Sequence, residues 1–102
     1  MVRTMLIAIL ITAPGLARAE PSTAARLAAT CAACHGTAGD TRGATLPRLA
    51  GQPRQTLLAT LKAFKTGQRP ATIMTQIAKG YTDEQLDLLA AYFAAQPPGA
   101  VK

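Results

Sequence analysis

The spacing of apolar residues along the chain predicts helices and no strands. Apolar side chains recur at helical spacing in Leu57, Leu61 and Phe64, and again from Leu86 to Phe93. Residues 23–30 are rich in alanine, which favours a further helix by intrinsic propensity. No segment alternates apolar and polar residues as a half-buried strand would. The chain is therefore predicted to be all-α.

Residues that cap or break helices mark the ends of three main helices and one short helix. Between the first two, residues 37–52 contain three glycines and a proline and show no periodicity. We predict a long loop there, and a loop of that length in a small domain usually has a functional role. The predicted helices lie between Ser22 and Gly36, between Pro53 and Gly67, between Ala71 and Lys79 (the short one), and between Thr82 and Gln96.

The first nineteen residues have the features of a secretory signal. Arg3 supplies positive charge, residues 6–11 are apolar, and residues 17–19 form a small-x-small cleavage site. The apolar run is much shorter than the roughly 20 residues that span a bilayer, so no stable membrane span is predicted. A retained amphipathic anchor is the alternative. We divide the chain into a signal peptide, residues 1–19, and one exported, periplasmic domain, residues 20–102.

The charge balance of the chain is mildly basic. There are eleven basic and five acidic residues, and removal of Arg3 and Arg18 with the signal leaves a net charge of +4. With so modest an excess, an exported domain is not expected to bind nucleic acid. We expect instead a surface that steers toward acidic protein partners. The candidate residues are Lys62, Lys65, Arg69 and Lys79.

The candidate chemistry is concentrated in the pentapeptide Cys31-Ala32-Ala33-Cys34-His35. The spacing C-x-x-C-H is typical of sites where a c-type haem is attached through two thioether bonds. Thiols three residues apart near a helix end point to the same side, and the adjacent imidazole can ligate the iron. Both cysteines and the one histidine of the chain lie here. We therefore predict one covalently attached haem c, bound by Cys31, Cys34 and His35.

Three other kinds of site use parts of this motif. A thioredoxin-like redox dithiol needs C-x-x-C, but also a βαβ setting that is not predicted here. A zinc site needs about four ligands, and two cysteines with one histidine leave it short. A structural disulfide has no use for the histidine. Haem attachment uses all three residues, and export agrees with it because c-type haem is attached outside the bacterial cytoplasmic membrane.

Met74 is the candidate for the second axial ligand of the iron. Met1 and Met5 leave with the signal, and Met74 follows a proline-containing loop well after His35. Three alternatives stay open: a methionine that only fills the core, ligation by Lys79 after loss of its proton, and a five-coordinate haem that binds small ligands. His and Met ligation predicts an electron carrier, because no substrate reaches the iron without displacing a ligand.

With these residues placed, the chain resembles the class I c-type cytochromes over residues 24–96. Residues 45–52, TLPRLAGQ, are similar to a Pro-x-Leu-Ala-Gly-Gln stretch of small bacterial cytochromes and of each half of the two-haem periplasmic kind. The resemblance implies a small class I cytochrome c fold, with three main helices and one short helix around the haem. It also implies that the carbonyl of Pro47 accepts the second ring N–H of the haem histidine. A simple loop turn is the other interpretation of Pro47.

A narrower resemblance lies in residues 69–84. Their sequence, RPATIMTQIAKGYTDE, is similar to the cytochrome subunit of flavocytochrome c sulfide dehydrogenase, where the ligand methionine lies in an Arg-Pro-x-Thr-x-Met setting. This resemblance implies a flavoprotein partner that oxidises sulfide and passes electrons to the haem. The chain would then be an electron-transfer component rather than a catalyst by itself. A free periplasmic carrier to an oxidase or reductase and a haem sensor with an open iron are the alternatives.

Four further side chains have two interpretations each. Arg48, Arg54 and Arg69 are candidates to neutralise the haem propionates, or they are solvated surface charges. Tyr81 either covers the haem edge near Met74 or only packs.

Overall fold

The computed structural model describes Gly15 and residues 19–99, and these contain helices and turns but no strand. The all-α prediction is therefore confirmed. Most of the predicted signal, residues 1–19, lies outside the described residues. No helix in the described part is long and apolar enough to cross a membrane. The elements are α1 (Thr23–Ala28), a 3-10 turn (Ala29–Cys31), α2 (Ala32–His35), a second 3-10 turn (Thr37–Gly39), α3 (Arg54–Thr66), α4 (Met74–Lys79) and α5 (Asp83–Ala94).

The first predicted helix forms as one continuous right-handed segment, residues 23–35, named the first rod. Its middle turn has the tighter 3-10 winding. Ser22 caps α1 as predicted, because its hydroxyl accepts a hydrogen bond from the Ala25 N–H at 3.1 Å. The 3-10 turn then joins α1 to α2 without leaving right-handed helical angles. Within this turn the Thr30 hydroxyl donates to the carbonyl of Leu27 at 3.0 Å, a local bond of the kind that bends helices. The alanine-rich sequence did not indicate this change of winding.

Helix α5 is the centre of the fold, because both α1 and α3 pack against it. Its predicted capping box is formed. The Gln85 N–H donates to the Thr82 hydroxyl at 3.1 Å, and the Thr82 N–H donates to the Gln85 side chain at 2.9 Å. The apolar face predicted for this helix is buried. The core cluster consists of Ala28 from α1, Leu57 from α3, and Leu86, Leu89, Ala90 and Phe93 from α5.

The long loop between the first rod and α3 is pinned at its two ends. The Gly39 carbonyl accepts hydrogen bonds from Leu49 N–H and Ala50 N–H, and Gly51 N–H donates to the Phe93 carbonyl at 2.9 Å. Gly39 has a φ of +79°, and a Cβ there would lie 2.8 Å from the Phe93 ring. Only glycine fits such a close approach at that φ. Residues 42–48 between these ends are exposed, so the loop is anchored to α5 and presents its middle to solvent.

The short helix α4 begins three residues later than predicted. Residues 71–73 stay outside the helix, and Ile73 precedes it with a φ of −119° and no side-chain cap. The sequence had no capping side chain that would mark this start, so only its end at Lys79 could be predicted accurately. Helix α4 packs against α3, and its Ala78 is 1% exposed.

The segment after α5 is packed as far as the structure describes it. Pro98 lies against Gly51, and Gly99 lies against the carboxylate of Asp40. The sequence could not indicate this contact, because it depends on where the long loop lies.

Candidate functional site

Cys31, Cys34 and His35 lie on one turn at the end of the first rod. Cys31 ends the 3-10 turn, and Cys34 and His35 belong to α2. Gly36 ends the helix with a φ of +81°, and a Cβ there would lie 1.8 Å from the carbonyl oxygen of Asp40. The chain can turn away after His35 only because this residue is glycine. Both cysteines are free thiols rather than a disulfide, so each sulfur is available for another covalent bond.

His35 is the buried polar residue of this region, with 9% of its surface exposed. Its Nδ1 lies 2.8 Å from the carbonyl oxygen of Pro47. A carbonyl oxygen only accepts hydrogen bonds, so Nδ1 is the donor of this bond, and in the neutral imidazole the lone pair then lies on Nε2. A neutral imidazole held in this way is the form that ligates a metal. The structure thus brings together two of the residues that the sequence singled out, His35 and Pro47.

The two thiols lie in different surroundings. Cys31 is half-buried and packs against the core, whereas Cys34 is exposed. Burial raises the pKa of the Cys31 thiol, the Thr30 hydroxyl lowers it in part, and Cys34 adds a smaller increase. Reactive redox dithiols need a lowered thiol pKa, so these surroundings do not favour the dithiol interpretation. Within the described ranges, no three His, Cys, Asp or Glu side chains form a group that could hold a metal ion.

Met74 is the first residue of α4 and is half-buried. It therefore belongs to an element that packs against α3, separate from the helix turn that carries His35. The residues before it, 66–73, are all exposed. Its role as an iron ligand stays a prediction, because the structure shows where Met74 lies in the fold and not a bond from its sulfur to iron.

Large apolar side chains are exposed beside the candidate ligands. Leu46 is 44% exposed and precedes Pro47, while Ile73 and Ile77 are 63% and 39% exposed and flank Met74 along the chain. They are three of the four large hydrophobic residues that are exposed in the described part of the chain. Exposed apolar patches are typical of binding sites, and these three side chains are close to candidate site residues along the chain. A large apolar group such as a porphyrin fits these residues together with two free thiols and an imidazole.

Several basic side chains have partners that the sequence did not reveal. Arg54 makes a two-point contact with Asp87, at 3.0 and 2.5 Å, and this contact raises the pKa of the guanidinium further. The guanidinium of Arg69 lies 5.1 Å from the centre of the Phe64 ring. Arg48 is exposed. Of the three propionate candidates, Arg54 and Arg69 are thus engaged with other side chains of the domain.

Lys65, one of the basic residues expected to steer the protein toward acidic partners, also has hydrogen-bond partners within the domain. The ammonium group of Lys65 donates to the Tyr81 carbonyl at 2.7 Å and to the Asp83 carboxylate at 3.1 Å. Lys62 and Lys79 are exposed. Lys65 is 16 residues from Tyr81 and 18 residues from Asp83, and no sequence motif indicates pairs at such separations.

Comparison with known proteins agrees with this site. The family model for cytochrome c matches residues 22–96. Cytochrome c-554(548) of Halomonas halodenitrificans is 41% identical over 70 residues, which are 66% of this chain and 84% of that protein. The cytochrome subunit of sulfide dehydrogenase from Chlorobaculum tepidum is 40% identical over 67 residues, 66% of this chain and 60% of that protein. The thiosulfate dehydrogenase electron acceptor of Stutzerimonas stutzeri is 45% identical over 67 residues, 63% of this chain and 31% of that protein.

The chain thus spans less than two thirds of the two relatives that are named for sulfur-compound dehydrogenases. The match to the cytochrome c family covers both the first rod with its C-x-x-C-H turn and the last helix. The chain therefore belongs to the cytochrome c family of electron-transfer haem proteins, and its cofactor is a covalently attached haem c.

Proposed function

We propose that this protein is a periplasmic electron carrier in which Cys31 and Cys34 attach the haem and His35 and Met74 ligate the iron. The observation that carries this proposal is the buried His35, whose Nδ1 donates to the Pro47 carbonyl at 2.8 Å. In the neutral imidazole that bond leaves the lone pair on Nε2, and it fixes the plane of the ring. When bound, haem c supplies reversible one-electron chemistry at its iron.

The residues of the chain have separate tasks in this proposal. Cys31 and Cys34 hold the cofactor covalently, so that it stays with the protein during repeated oxidation and reduction. His35 and Met74 would hold the iron, and a thioether ligand would raise its reduction potential. The apolar side chains beside them keep water away from the site, which also affects the potential. With both residues on the iron, the protein would transfer electrons and would not bind substrate there.

The donor in this proposal is a sulfide-oxidising flavoprotein. Residues 69–84 resemble the methionine segment of the cytochrome subunit of flavocytochrome c sulfide dehydrogenase, and one relative bears the name of such a subunit. A free carrier is the second candidate, because the chain covers 84% of cytochrome c-554(548), so that relative is little longer than one such domain. A third relative is named as an electron acceptor of thiosulfate dehydrogenase, which makes that enzyme a useful comparison.

We expect the oxidised haem protein to be reduced rapidly by sulfide only when a sulfide-oxidising flavoprotein is present. The measurement mixes the protein with sulfide and the flavoprotein of Chlorobaculum tepidum sulfide dehydrogenase, and follows the haem absorbance by stopped flow. Sulfide alone gives the background rate, and thiosulfate with the thiosulfate dehydrogenase of Stutzerimonas stutzeri is the matched comparison. Co-elution with the flavoprotein in gel filtration would indicate a subunit, whereas reduction without co-elution would indicate a free carrier. Reduction no faster than with sulfide alone would contradict the proposed donor.

We also expect the exported protein to begin at Glu20. The charged start, short apolar run and small-x-small site of residues 1–19 support cleavage after Ala19. Intact mass and N-terminal sequencing of haem protein from the periplasm measure this directly. The expected mass is that of residues 20–102 plus one haem. An N-terminus upstream of residue 19 on membrane-associated protein would instead support the retained anchor.

A further inference from the structure

Tyr81 joins three parts of the fold through hydrogen bonds. Its hydroxyl lies 2.7 Å from the hydroxyl of Thr30, which is 51 residues earlier in the chain. Its carbonyl accepts from the ammonium group of Lys65 in α3 at 2.7 Å. Its N–H donates to the carbonyl of Ala78 in α4 at 3.2 Å. Tyr81 thus connects the first rod, α3 and the end of α4 at one residue.

The direction of the bond between the two hydroxyls follows from the other partner of Thr30. Thr30 has one hydroxyl proton, and it donates this proton to the Leu27 carbonyl at 3.0 Å. The bond to Tyr81 therefore has the phenol O–H as donor and the Thr30 oxygen as acceptor. Removal of the phenol hydroxyl alone would break this bond and leave the local bond of Thr30 intact.

The position of Met74 makes this connection important. The segment 66–73 that precedes Met74 is exposed, whereas α4 is buried at its other end. That end consists of Ala78, which is 1% exposed, and Tyr81 two residues after the helix. Thr30, on the other side of the bond, immediately precedes Cys31. The bond from Tyr81 to Thr30 therefore links the segment that carries Met74 to the turn that carries the cysteines.

We propose that Tyr81 is a positioning residue that holds Met74 in place as the iron ligand by tying the end of α4 to Thr30. This inference rests on the proposed ligand role of Met74. Lys65 supports the same position, because its ammonium group holds the Tyr81 carbonyl and the Asp83 carboxylate together. Loss of the phenol hydroxyl loosens the methionine segment and raises the fraction of protein in which Met74 is away from the iron.

Imidazole is the probe, because it binds the ferric iron only when the methionine has left. The apparent affinity of such a ligand is proportional to the fraction of competent protein. A net hydrogen bond of ordinary strength corresponds to a factor of about two to ten in that fraction. We therefore expect Tyr81→Phe in the ferric haem protein to lower the apparent dissociation constant for imidazole by about two- to tenfold. The absorption band of the methionine–iron bond should disappear at correspondingly lower imidazole.

Matched variants separate positioning from general stability. Tyr92→Phe removes the same hydroxyl from the other tyrosine of the chain, which lies in α5, and should leave imidazole affinity unchanged. Ser22→Ala removes the cap of α1 and should lower the urea midpoint without changing imidazole affinity. If Tyr81 had only a structural role, Tyr81→Phe would behave like Ser22→Ala.

The partner side of the bond gives an independent check. Thr30→Val should raise imidazole affinity as Tyr81→Phe does, whereas Thr30→Ser keeps the hydroxyl and should have the imidazole affinity of the parent protein. The double variant Tyr81→Phe/Thr30→Val should show no further increase in affinity over either single variant. Lys65→Met should act in the same direction, with Lys62→Met as the control for an exposed lysine on the same helix.

The possible outcomes distinguish this inference from the proposed function. If the parent protein has the methionine–iron band and imidazole affinity is the same in Tyr81→Phe and Tyr92→Phe, the inference is wrong and Met74 remains the ligand. If the parent protein lacks that band, the ligand role of Met74 fails and this inference fails with it. A larger affinity in Tyr81→Phe, Thr30→Val and Lys65→Met, with the controls unchanged, supports both.

Discussion

Met74→Leu should keep the fold and lose the second iron ligand. Leucine fills nearly the same volume as methionine, so the loss of packing alone should cost less than about 1.5 kcal/mol in stability. It has no sulfur, so the iron loses a soft, neutral ligand that favours the ferrous state. We expect the reduction potential to fall by on the order of 0.1 V or more, within the roughly 0.8 V range that axial ligands span. Carbon monoxide should bind the reduced variant readily.

The measurements are a redox titration and a carbon monoxide difference spectrum on purified haem protein. Gln76→Ala is the control, since Gln76 is an exposed polar residue of the same helix; it should change neither the potential nor carbon monoxide binding appreciably. If Met74 only packs, then Met74→Ala would cost about 2–5 kcal/mol in stability. Met74→Leu and Met74→Ala would then both keep the spectrum and the reduction potential of the parent protein. Such a result would mean that another group, such as Lys79, ligates the iron.

The local elements of this fold were predictable because short-range interactions determine them. The capping box from Thr82 to Gln85 needs only side chains three residues apart, and it is formed. The apolar face of α5 follows from helical periodicity, and Leu86, Leu89 and Phe93 are buried as expected. The bond from His35 to the Pro47 carbonyl was expected only from the family resemblance, since no spacing rule places a loop carbonyl beside an imidazole.

Long-range polar contacts were not predictable, and they decide what the surface charges do. Arg54 and Asp87 are 33 residues apart, and they contact each other because α3 packs against α5. For the same reason, two of the three arginines considered for the propionates have other partners. The bond from Tyr81 to Thr30 spans 51 residues. Neither the charged residues nor the hydroxyl residues of such pairs follow a recognisable sequence pattern, because many positions on a helix surface accept a charge or a hydroxyl equally well.

The chain without haem should have no cooperative folding transition. Of the eight apolar residues that are buried in the described part of the chain, four are alanines, and the large ones are Leu57, Leu86, Leu89 and Phe93. A domain of this size rarely obtains more than about 3–5 kcal/mol from its core without a staple or cofactor. Meanwhile Leu46, Ile73 and Ile77 remain exposed in the polypeptide alone. The porphyrin is the apolar body against which such side chains can be buried.

The double variant Cys31→Ala/Cys34→Ala tests this dependence, because it removes both covalent attachments and leaves the core cluster of α1, α3 and α5 nearly unchanged. Purified without haem, it should show little fixed tertiary structure by near-ultraviolet circular dichroism and no sharp thermal transition. The wild-type haem protein should melt cooperatively under the same conditions. Ser22→Ala with haem attached is the control for an ordinary destabilisation, and loss of a helix cap should cost it only about 1 kcal/mol. Cooperative unfolding of the haem-free double variant near the temperature of the wild-type haem protein would show that the helices pack stably without the porphyrin. The exposed apolar residues beside Pro47 and Met74 would then need another explanation.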